Sequence, residues 1–303
     1  MISGADMDSN KLSLWLKNII TDFVNKSHHN NLPPGGKIWE EPLVGFCRGD
    51  DPIFSEFKNH IGNFYWTPYD VMQLSFPNLE TDMEALSVIS WILPQTKAVK
   101  KQNAKQKLYP SIMWAQAYVL GERLNNMLRS YVVETLQKRG VPAAAPIQAP
   151  LFHQEISENY GRASTWSERH TAFAAGLGTF GLCDGLITPA GKAMRAGSVV
   201  AKLSVAPTPR PYTDRHAYCL FYNSGDCLAC VKRCPVGAIS PAGHDKKKCA
   251  EHVNKTAAEY AKKNYQLDKA ECCGLCQTGV PCASGIPTPR AKPAEATKNS
   301  QDN

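Results

Sequence analysis

The chain has 303 residues, of which 43% are hydrophobic and 20% are charged, an ordinary composition for a globular protein with one sizeable core and a smaller module. Its longest apolar run, at 88–94, has the length of a strand and falls far short of the roughly 18 residues of a membrane span. The composition therefore excludes a membrane-spanning protein, while the formal net charge of +7 leaves a nucleic-acid partner open.

The first elements are predicted from apolar spacing and turn residues. Apolar residues at helical spacing predict a helix over 12–24, and a short apolar run predicts a strand over 43–47. A turn with two aspartates and a proline follows, and it leads into a predicted helix over 53–61. Thr67 and Pro68 predict another helix start, because threonine caps helices and proline is favoured in their first turn.

The middle of the chain carries the strongest strand and helix signals. The run 86–94 is rich in branched and aromatic residues and predicts a central strand. Apolar residues at helical spacing predict the longest helix over 112–139, closed by basic residues and a glycine. The Pro- and Ala-rich stretch 140–150 is predicted as a link, and the polar, Pro-containing stretch 289–303 as a disordered tail.

Nine of the eleven cysteines fall between Cys219 and Cys282, in two phased groups. The first group reads C-x7-C-x2-C-x3-C-P, and two-cluster ferredoxins use C-x2-C-x2-C-x3-C-P, in which the last cysteine ligates the other cluster. The spacing therefore predicts two [4Fe–4S] clusters with crossed ligation. The first cluster is assigned Cys219, Cys227, Cys230 and Cys282, and the second is assigned Cys249, Cys273, Cys276 and Cys234.

Two of these assignments depend on details of spacing. Ser224 stands where ferredoxin spacing would place the first ligand, so that role is given to Cys219 across a turn-forming loop. Cys273 is chosen over Cys272 because only Cys273 has the two-residue spacing to Cys276. Structural zinc and disulfides are the alternatives. A zinc site does not require C-x3-C-P in series with C-x2-C, so this motif argues against structural zinc. Disulfides need an oxidising compartment, and the N-terminus lacks the features of a signal peptide. We therefore expect a cytoplasmic protein without disulfides.

The cysteines also change the charge argument. Two oxidised clusters with four thiolates each would add about −2 apiece, which lowers the formal charge from +7 to roughly +3. The remaining basic character is local, in the lysines of 97–107 and 246–248. Both stretches are predicted as solvated loops. The alternative is docking of a low-potential electron donor such as ferredoxin or flavodoxin, or of an RNA phosphate backbone.

A glycine-rich stretch at 176–185 contains G-x-G-x-x-G, but its context differs from that of a dinucleotide-binding motif. The glycines follow a predicted helix and precede a strand, whereas the dinucleotide fingerprint needs a strand and then a helix. Four glycines in ten residues still predict sharp turns or close approach to a flat group. We therefore assign a planar cofactor to Gly176, Leu177, Gly178, Gly181, Cys183 and Gly185, with a buried structural role as the alternative for Cys183.

At this point the chain resembles a known superfamily. The resemblance is carried by the runs 175–181, 186–189 and 197–200, followed by the cysteine groups. Together these motifs are similar to the core shared by epoxyqueuosine reductases and corrinoid reductive dehalogenases. The resemblance covers about residues 85–286, and it implies an α/β protein. A nitroreductase-like α+β domain over 1–210 would hold cobalamin and substrate, and a ferredoxin-like module over 211–288 would hold the two clusters.

The resemblance also implies a function and candidate catalytic residues. Electrons would pass through the clusters to the corrinoid, which would reduce a small-molecule or nucleoside substrate. In the tRNA-modifying members an aspartate proton donor precedes the A-G-L-G motif, and the equivalent position here is Arg162. Dehalogenases usually use a tyrosine with a nearby basic residue. The resemblance therefore implies Tyr160 as proton donor and Arg162 as the anion-orienting cation, with a surface loop as the alternative.

A second class of function also fits the sequence. The chain could be an electron-transfer protein or reductive activator that delivers low-potential electrons to another redox protein and has no substrate pocket of its own. The domain that precedes Cys219 is larger than a ferredoxin needs, which favours the reductase.

Overall fold

The computed structural model describes residues 8–225 and 227–289, and the larger part of the molecule precedes Cys219. Its helices are α1 (Ser9–Lys26), α2 (Ile53–Ile61), α3 (Pro68–Ser75), α4 (Lys97–Ala104), α5 (Ile112–Gln137) and α6 (Glu168–Ala174). Its strands are β1 (Leu43–Arg48), β2 (Leu86–Pro94), β3 (Ala143–Ala144), β4 (Gln154–Ser157), β5 (Gly161–Ser164), β6 (Thr179–Phe180), β7 (Leu186–Ile187) and β8 (Met194–Lys202). The protein is thus a mixed α and β fold.

A four-stranded antiparallel sheet in the order β1–β2–β8–β3 forms the centre of this larger part. Every residue of β2 is buried, which confirms the predicted central strand. Trp91 of β2 lies opposite Gly197 of β8. A Cβ at Gly197 would lie 2.5 Å from the Trp91 ring, so this position needs glycine for the two strands to pair with the indole between them.

The two faces of the sheet pack against different helices. Alternate residues of β2, Ile89 and Trp91, join an apolar cluster with α1 and α5, while Val88 and Ile92 join a second cluster with α2, α3 and α6. This alternation follows from the two-residue period of a strand. The helices predicted from apolar spacing over 12–24, 53–61 and 112–139 are confirmed.

The start of α3 shows why the local prediction succeeded there. The Thr67 hydroxyl accepts a hydrogen bond from the Asp70 backbone N–H at 3.2 Å, and the Asp70 carboxylate accepts one from the Thr67 N–H at 2.9 Å. Pro68 occupies the first turn, where its missing N–H costs nothing. Both hydrogen bonds and the proline lie within four residues, so the sequence contains the whole signal.

Two stretches differ from the sequence-based expectation. Part of the predicted link 140–150 is β3, which pairs with β8 at the edge of the sheet. Alanine and proline do not favour strands, so the composition of this stretch did not predict β3. The lysine-rich stretch predicted as a loop is the helix α4, because Thr96 precedes its first turn and Val99 and Asn103 are buried.

The cysteine module follows, with short elements and little regular structure. Its helices are α7 (Leu220–Ser224), α8 (Ala229–Arg233), α9 (Lys246–Glu251) and α10 (Ala258–Tyr265), with a π-helical stretch at His252–Ala257 and a 3₁₀ turn at Leu275–Gln277. Strands β9 (Ile239–Ser240) and β10 (Gly243–His244) pair with each other. Almost all of the predicted disordered tail lies outside the described residues. Within 8–225 and 227–289, no helix has both the length and the apolar character needed to cross a membrane.

Two polar side chains join the module to the larger part. Asn103 at the end of α4 donates to the Cys273 carbonyl at 3.3 Å and to the Thr278 hydroxyl at 3.1 Å. Arg233 of α8 donates to four carbonyl oxygens, which belong to Asn103, Gln106, Leu275 and Thr278, at 2.7–3.3 Å. Both cysteine groups are therefore tied to each other and to α4.

Candidate metal centre

Four cysteines from distant parts of the module line one small cavity: Cys219, Cys227, Cys230 and Cys282. Cys219 precedes α7, Cys230 lies in α8, and Cys282 follows the 3₁₀ turn near the end of the module. Cys227 is half-buried and the other three are buried. The structure thus brings together the four cysteines that spacing assigned to the first cluster.

The short helix α7 explains the unusual C-x7-C spacing. Ser224, which stands at the usual first-ligand position, is exposed and donates its hydroxyl to the Leu220 carbonyl at 2.8 Å within the same helix. Gly225 then ends the helix in the left-handed region. Cys219 lies at the other end of the helix and lines the cavity, while Ser224 does not.

The second predicted set is Cys234, Cys249, Cys273 and Cys276. Burial, together with the nearby thiols of Cys249 and Cys234, raises the pKa of the Cys273 thiol to about 11. Cys234 accepts a hydrogen bond from the Ala238 N–H at 3.2 Å. The thiol of Cys183 and burial raise the pKa of Cys276, and the nearby Cys273 contributes to the same rise.

The two members of the Cys272–Cys273 doublet point into different surroundings. Cys272 is 5% exposed and packs into the apolar cluster of α1 and α5, where burial raises its pKa to about 12. Cys273 instead lies near the thiols of the second set.

The residues around the cavity have the chemistry of an iron–sulfur site, but their side chains are not arranged as the ligands of a metal ion. In the part of the chain that the structure describes, no three His, Cys, Asp or Glu side chains are close enough together to hold a metal ion. The donors around the cavity are nevertheless thiols, which are the ligands that iron–sulfur clusters take. The donor set therefore fits clusters by its chemistry.

A buried lysine that the sequence analysis missed lies among these thiols. Lys192 is 3% exposed, and its ammonium donates to the Cys183 sulfur at 3.2 Å. Its backbone N–H donates to the Cys282 carbonyl at 2.9 Å. Burial alone would lower the pKa of Lys192, but the charges of the surrounding thiolates raise it above its ordinary value. No sequence signal distinguishes this lysine from an exposed one, because its partners are distant in the chain.

The glycine-rich loop packs against the protein itself. A Cβ at Gly178 would overlap the Ile187 carbonyl, and one at Gly176 would lie 2.6 Å from the Pro209 carbonyl. Added atoms at Gly181 and Gly185 would contact the Ile187 side chain and the Cys183 sulfur, and Leu177 and Cys183 are buried. The close approach that these glycines allow is thus to the protein's own backbone and side chains, and the assignment of a planar cofactor to this loop stays a prediction.

The two candidate catalytic residues lie on the hairpin formed by β4 and β5. Tyr160 is 36% exposed, and Arg162 is exposed, with its guanidinium donating to the Gln154 amide oxygen at 2.7 Å. Cations flank the tyrosine, because Arg215 donates to its hydroxyl at 3.4 Å and the Lys246 ammonium lies 5.6 Å from the ring centroid. Both residues are therefore at the surface, beside the cysteine module.

An ion pair connects the glycine-rich loop to the module. The Asp184 carboxylate lies 3.1 Å from the His244 ring nitrogen. Burial opposes a charged imidazole, but hydrogen bonds to Asp184 and Cys249 raise the pKa of His244 to about 10. Arg169 donates to the Asp184 carbonyl at 2.6 Å. The sequence analysis did not identify this pair, since its members are distant in the chain.

Comparison with known proteins gives structural matches alone. No protein-family model and no curated protein matches the sequence. An epoxyqueuosine reductase from Bacillus subtilis is 14% identical, with 91% of this chain and 67% of that chain covered and a TM-score of 0.44. An epoxyqueuosine reductase with an epoxyqueuosine-modified tRNA-Tyr stem loop is 16% identical, with the same coverage and TM-score.

The other group of matches is formed by reductive dehalogenases. A catabolic reductive dehalogenase in complex with 3-bromo-4-hydroxybenzoic acid is 14% identical, with 92% of this chain covered and a TM-score of 0.47. This chain spans 38% of that protein.

Proposed function

We propose that this chain is an iron–sulfur oxidoreductase of the superfamily that its motifs resemble, and that it passes electrons through two [4Fe–4S] clusters to a small-molecule or nucleoside substrate. The observation that carries the proposal is the convergence of Cys219, Cys227, Cys230 and Cys282 on one cavity. Simple packing gives no reason for four thiols to line one cavity, whereas an iron–sulfur cluster needs four of them.

The protein supplies the ligands and their surroundings. The four cavity cysteines would hold the first cluster, and Cys234, Cys249, Cys273 and Cys276 would hold the second. Bound clusters supply one-electron reduction over a range of potentials that the surrounding charges and hydrogen bonds set. A ferredoxin or flavodoxin would provide the electrons. In this proposal the module is ferredoxin-like and the larger part is nitroreductase-like.

The hairpin beside the module is the proposed substrate site. Arg162, Arg215 and Lys246 lie around Tyr160 and would orient an anionic group through charge. The hydrogen bond from Arg215 holds the phenol oxygen of Tyr160, which would donate a proton to the reduced substrate.

A second candidate function is electron transfer to another redox protein, with no substrate bound by this chain. The packing of the glycine-rich loop favours it, because Gly176 and Gly178 lie against the backbone of the chain itself. Cobalamin binding by the wild-type protein would favour the reductase. Cobalamin binding is therefore the prediction that separates the two functions.

Metal content tests the proposal. Protein purified without oxygen should hold about eight iron and eight sulfide per chain, and Cys227→Ala should hold about half as much iron, because Cys227 serves one cluster. Cys47→Ala is the matched control, since Cys47 is a buried cysteine in β1 that does not line the cavity. Zinc in place of iron, or four iron in the wild type, contradicts the proposal.

Titration with cob(II)alamin separates the two candidate functions. A spectral change on addition to anaerobic wild-type protein would support a corrinoid reductase, and its absence would support electron transfer. Gly178→Val is not a clean probe, because its side chain would meet the Ile187 carbonyl whether or not a corrin binds. Cys227→Ala is the better variant to titrate beside the wild type, because it alters the clusters and leaves the glycine-rich loop intact.

A further inference from the structure

The ammonium of Lys192 occupies a position that ordinary packing does not explain. Buried lysines normally pair with a carboxylate, because an isolated buried charge is costly. Within 8–225 and 227–289 no carboxylate lies within 4.0 Å of Lys192, and its hydrogen-bond acceptor is the sulfur of Cys183 at 3.2 Å. The sulfur of Cys183 therefore pairs with the ammonium, as a carboxylate does for most buried lysines.

Cys183 in turn lies where the two cysteine sets approach each other. Its side chain belongs to the same buried cluster as Cys230 and Cys282 of the first set, and Cys276 of the second set packs against that cluster. Lys192 lines the cavity together with Cys219, Cys227, Cys230 and Cys282. The Lys192–Cys183 pair is thus the contact that both sets share.

The backbone fixes this arrangement. Lys192 follows a tight turn in which the Thr188 hydroxyl donates to the Gly191 carbonyl at 2.7 Å. A Cβ at Gly191 would lie 2.5 Å from the Ala283 carbonyl carbon, so the turn packs directly on the chain after Cys282. The Lys192 N–H then donates to the Cys282 carbonyl. The ammonium is therefore placed by the same segment that supplies a cavity cysteine.

A fixed positive charge at this place has a predictable effect on electron affinity. A cluster with four thiolates is negatively charged, and reduction adds one more negative charge. In a buried site the attraction between a cation and this added charge is weakly screened. A nearby ammonium therefore stabilises the reduced state more than the oxidised state and raises the reduction potential.

We propose that Lys192 is a positioning residue that raises the reduction potential of the clusters on either side of it, and that Cys183 anchors its ammonium without ligating iron. This inference rests on the proposed function, because it requires the two clusters. It assigns to Lys192 and Cys183 a role that neither the cysteine spacing nor the glycine motif suggests.

The test is the Lys192→Met variant, which keeps the length of the side chain and removes its charge. Its iron content should stay near that of the wild type. The potential of at least one cluster should become more negative by about 59 mV or more, which is a tenfold change in the ratio of reduced to oxidised cluster for one electron. A redox titration followed by electron paramagnetic resonance measures this shift.

Lys202→Met is the matched control. Lys202 ends the same strand that follows Lys192, and its ammonium donates to the Glu80 carbonyl, not to a thiol. Its loss should leave both potentials unchanged. Lys192→Arg keeps the charge and should bring the potential back toward that of the wild type.

Variants of Cys183 keep the inference testable if Lys192→Met fails to fold. Cys183→Ser retains an acceptor for the ammonium and should preserve both iron and potential. Cys183→Ala removes the acceptor that holds the ammonium, so the potential should differ from that of the wild type with iron retained, and an unchanged potential would mean that Cys183 does not anchor Lys192. Loss of iron in Cys183→Ala would make Cys183 a ligand and overturn the inference.

The outcomes separate this inference from the proposed function. Wild-type protein without iron would defeat the proposed function. Wild-type protein with eight iron, together with unchanged potentials in Lys192→Met, would defeat the role of Lys192 and leave the proposed function intact.

Discussion

The larger part of the molecule and the cysteine module are stabilised by different means. The larger part buries two extensive apolar clusters on the two faces of its sheet. The module shares one small cluster of eight buried residues with the glycine-rich loop, and four of those eight are cysteines; of its other residues, Ala261, Ala270 and Cys272 pack into the cluster of α1 and α5. A core this small supplies little hydrophobic free energy, so the module needs another source of stability. If the proposed function is right, thiolate–iron bonds provide that stability.

Removal of iron should show the largest difference between the two regions. A chelator applied under reducing conditions should abolish amide-exchange protection across residues 219–282, because metal-site folding free energy is lost with the metal. Strands β2 and β8 should keep their protection, since apolar packing holds them. Hydrogen exchange followed by mass spectrometry measures both regions in one sample. Equal loss in both would mean that the protein folds as a single unit.

The Cys272–Cys273 doublet allows the two regions to be compared through two adjacent residues, because Cys272 packs into the core of the larger part and Cys273 lies among the thiols of the module. Cys273→Ser should remove about half of the iron, because Cys273 lies among the thiols of the second set. Cys272→Ser should keep the iron but lower the free energy of unfolding of the larger part by about 1–3 kcal/mol, because it places a hydroxyl in an apolar core. Iron analysis and denaturant unfolding of the two variants measure these effects. The reverse pattern would mean that Cys272 is the ligand.

The pH dependence of stability gives a smaller effect, confined to the larger part. Burial, with a contribution from the charges of Arg169 and Lys246, lowers the pKa of His170 to about 3, against roughly 6.5 when unfolded. The folded state therefore resists protonation, and stability present above pH 6.5 is lost as the pH falls toward 3. At pH 5 the expected loss is about 2 kcal/mol relative to pH 7. Guanidinium unfolding at the two pH values tests this.

His170→Phe provides the control for this measurement. Phenylalanine fits beside the rings of Phe57 and Phe180, which already contact His170, and it carries no titrating group. The variant should lose most of the difference in stability between pH 7 and pH 5. An unchanged difference would assign the pH dependence to other groups.

Local signals account for most of what the sequence predicted correctly. The helix α5 and the strand β2 follow from periodicity, and the start of α3 follows from a cap whose partners lie within four residues. The strand β3 was not predicted, because it consists of two alanines and depends entirely on pairing with β8. Tertiary context forms that strand, and a local pattern does not record tertiary context.

The site shows the same division. The cysteines of the first set were grouped by spacing, because cluster ligation constrains spacing in the chain. The glycines were correctly expected to allow close approach, but the group that approaches Gly178 is the backbone at Ile187, which glycine content does not reveal. Lys192 and the Asp184–His244 pair depend on contacts between distant segments, so no motif marked them.

The hydrogen bonds of Arg233 impose an order on the assembly of the module. Arg233 lies between two cysteines of the first group, yet its acceptors include the carbonyls of Leu275 and Thr278 in the second group. During synthesis the first group emerges from the ribosome while these acceptors are still missing, so its geometry is incomplete until Thr278 has emerged. The module therefore closes late, after the sheet of the larger part has been synthesised.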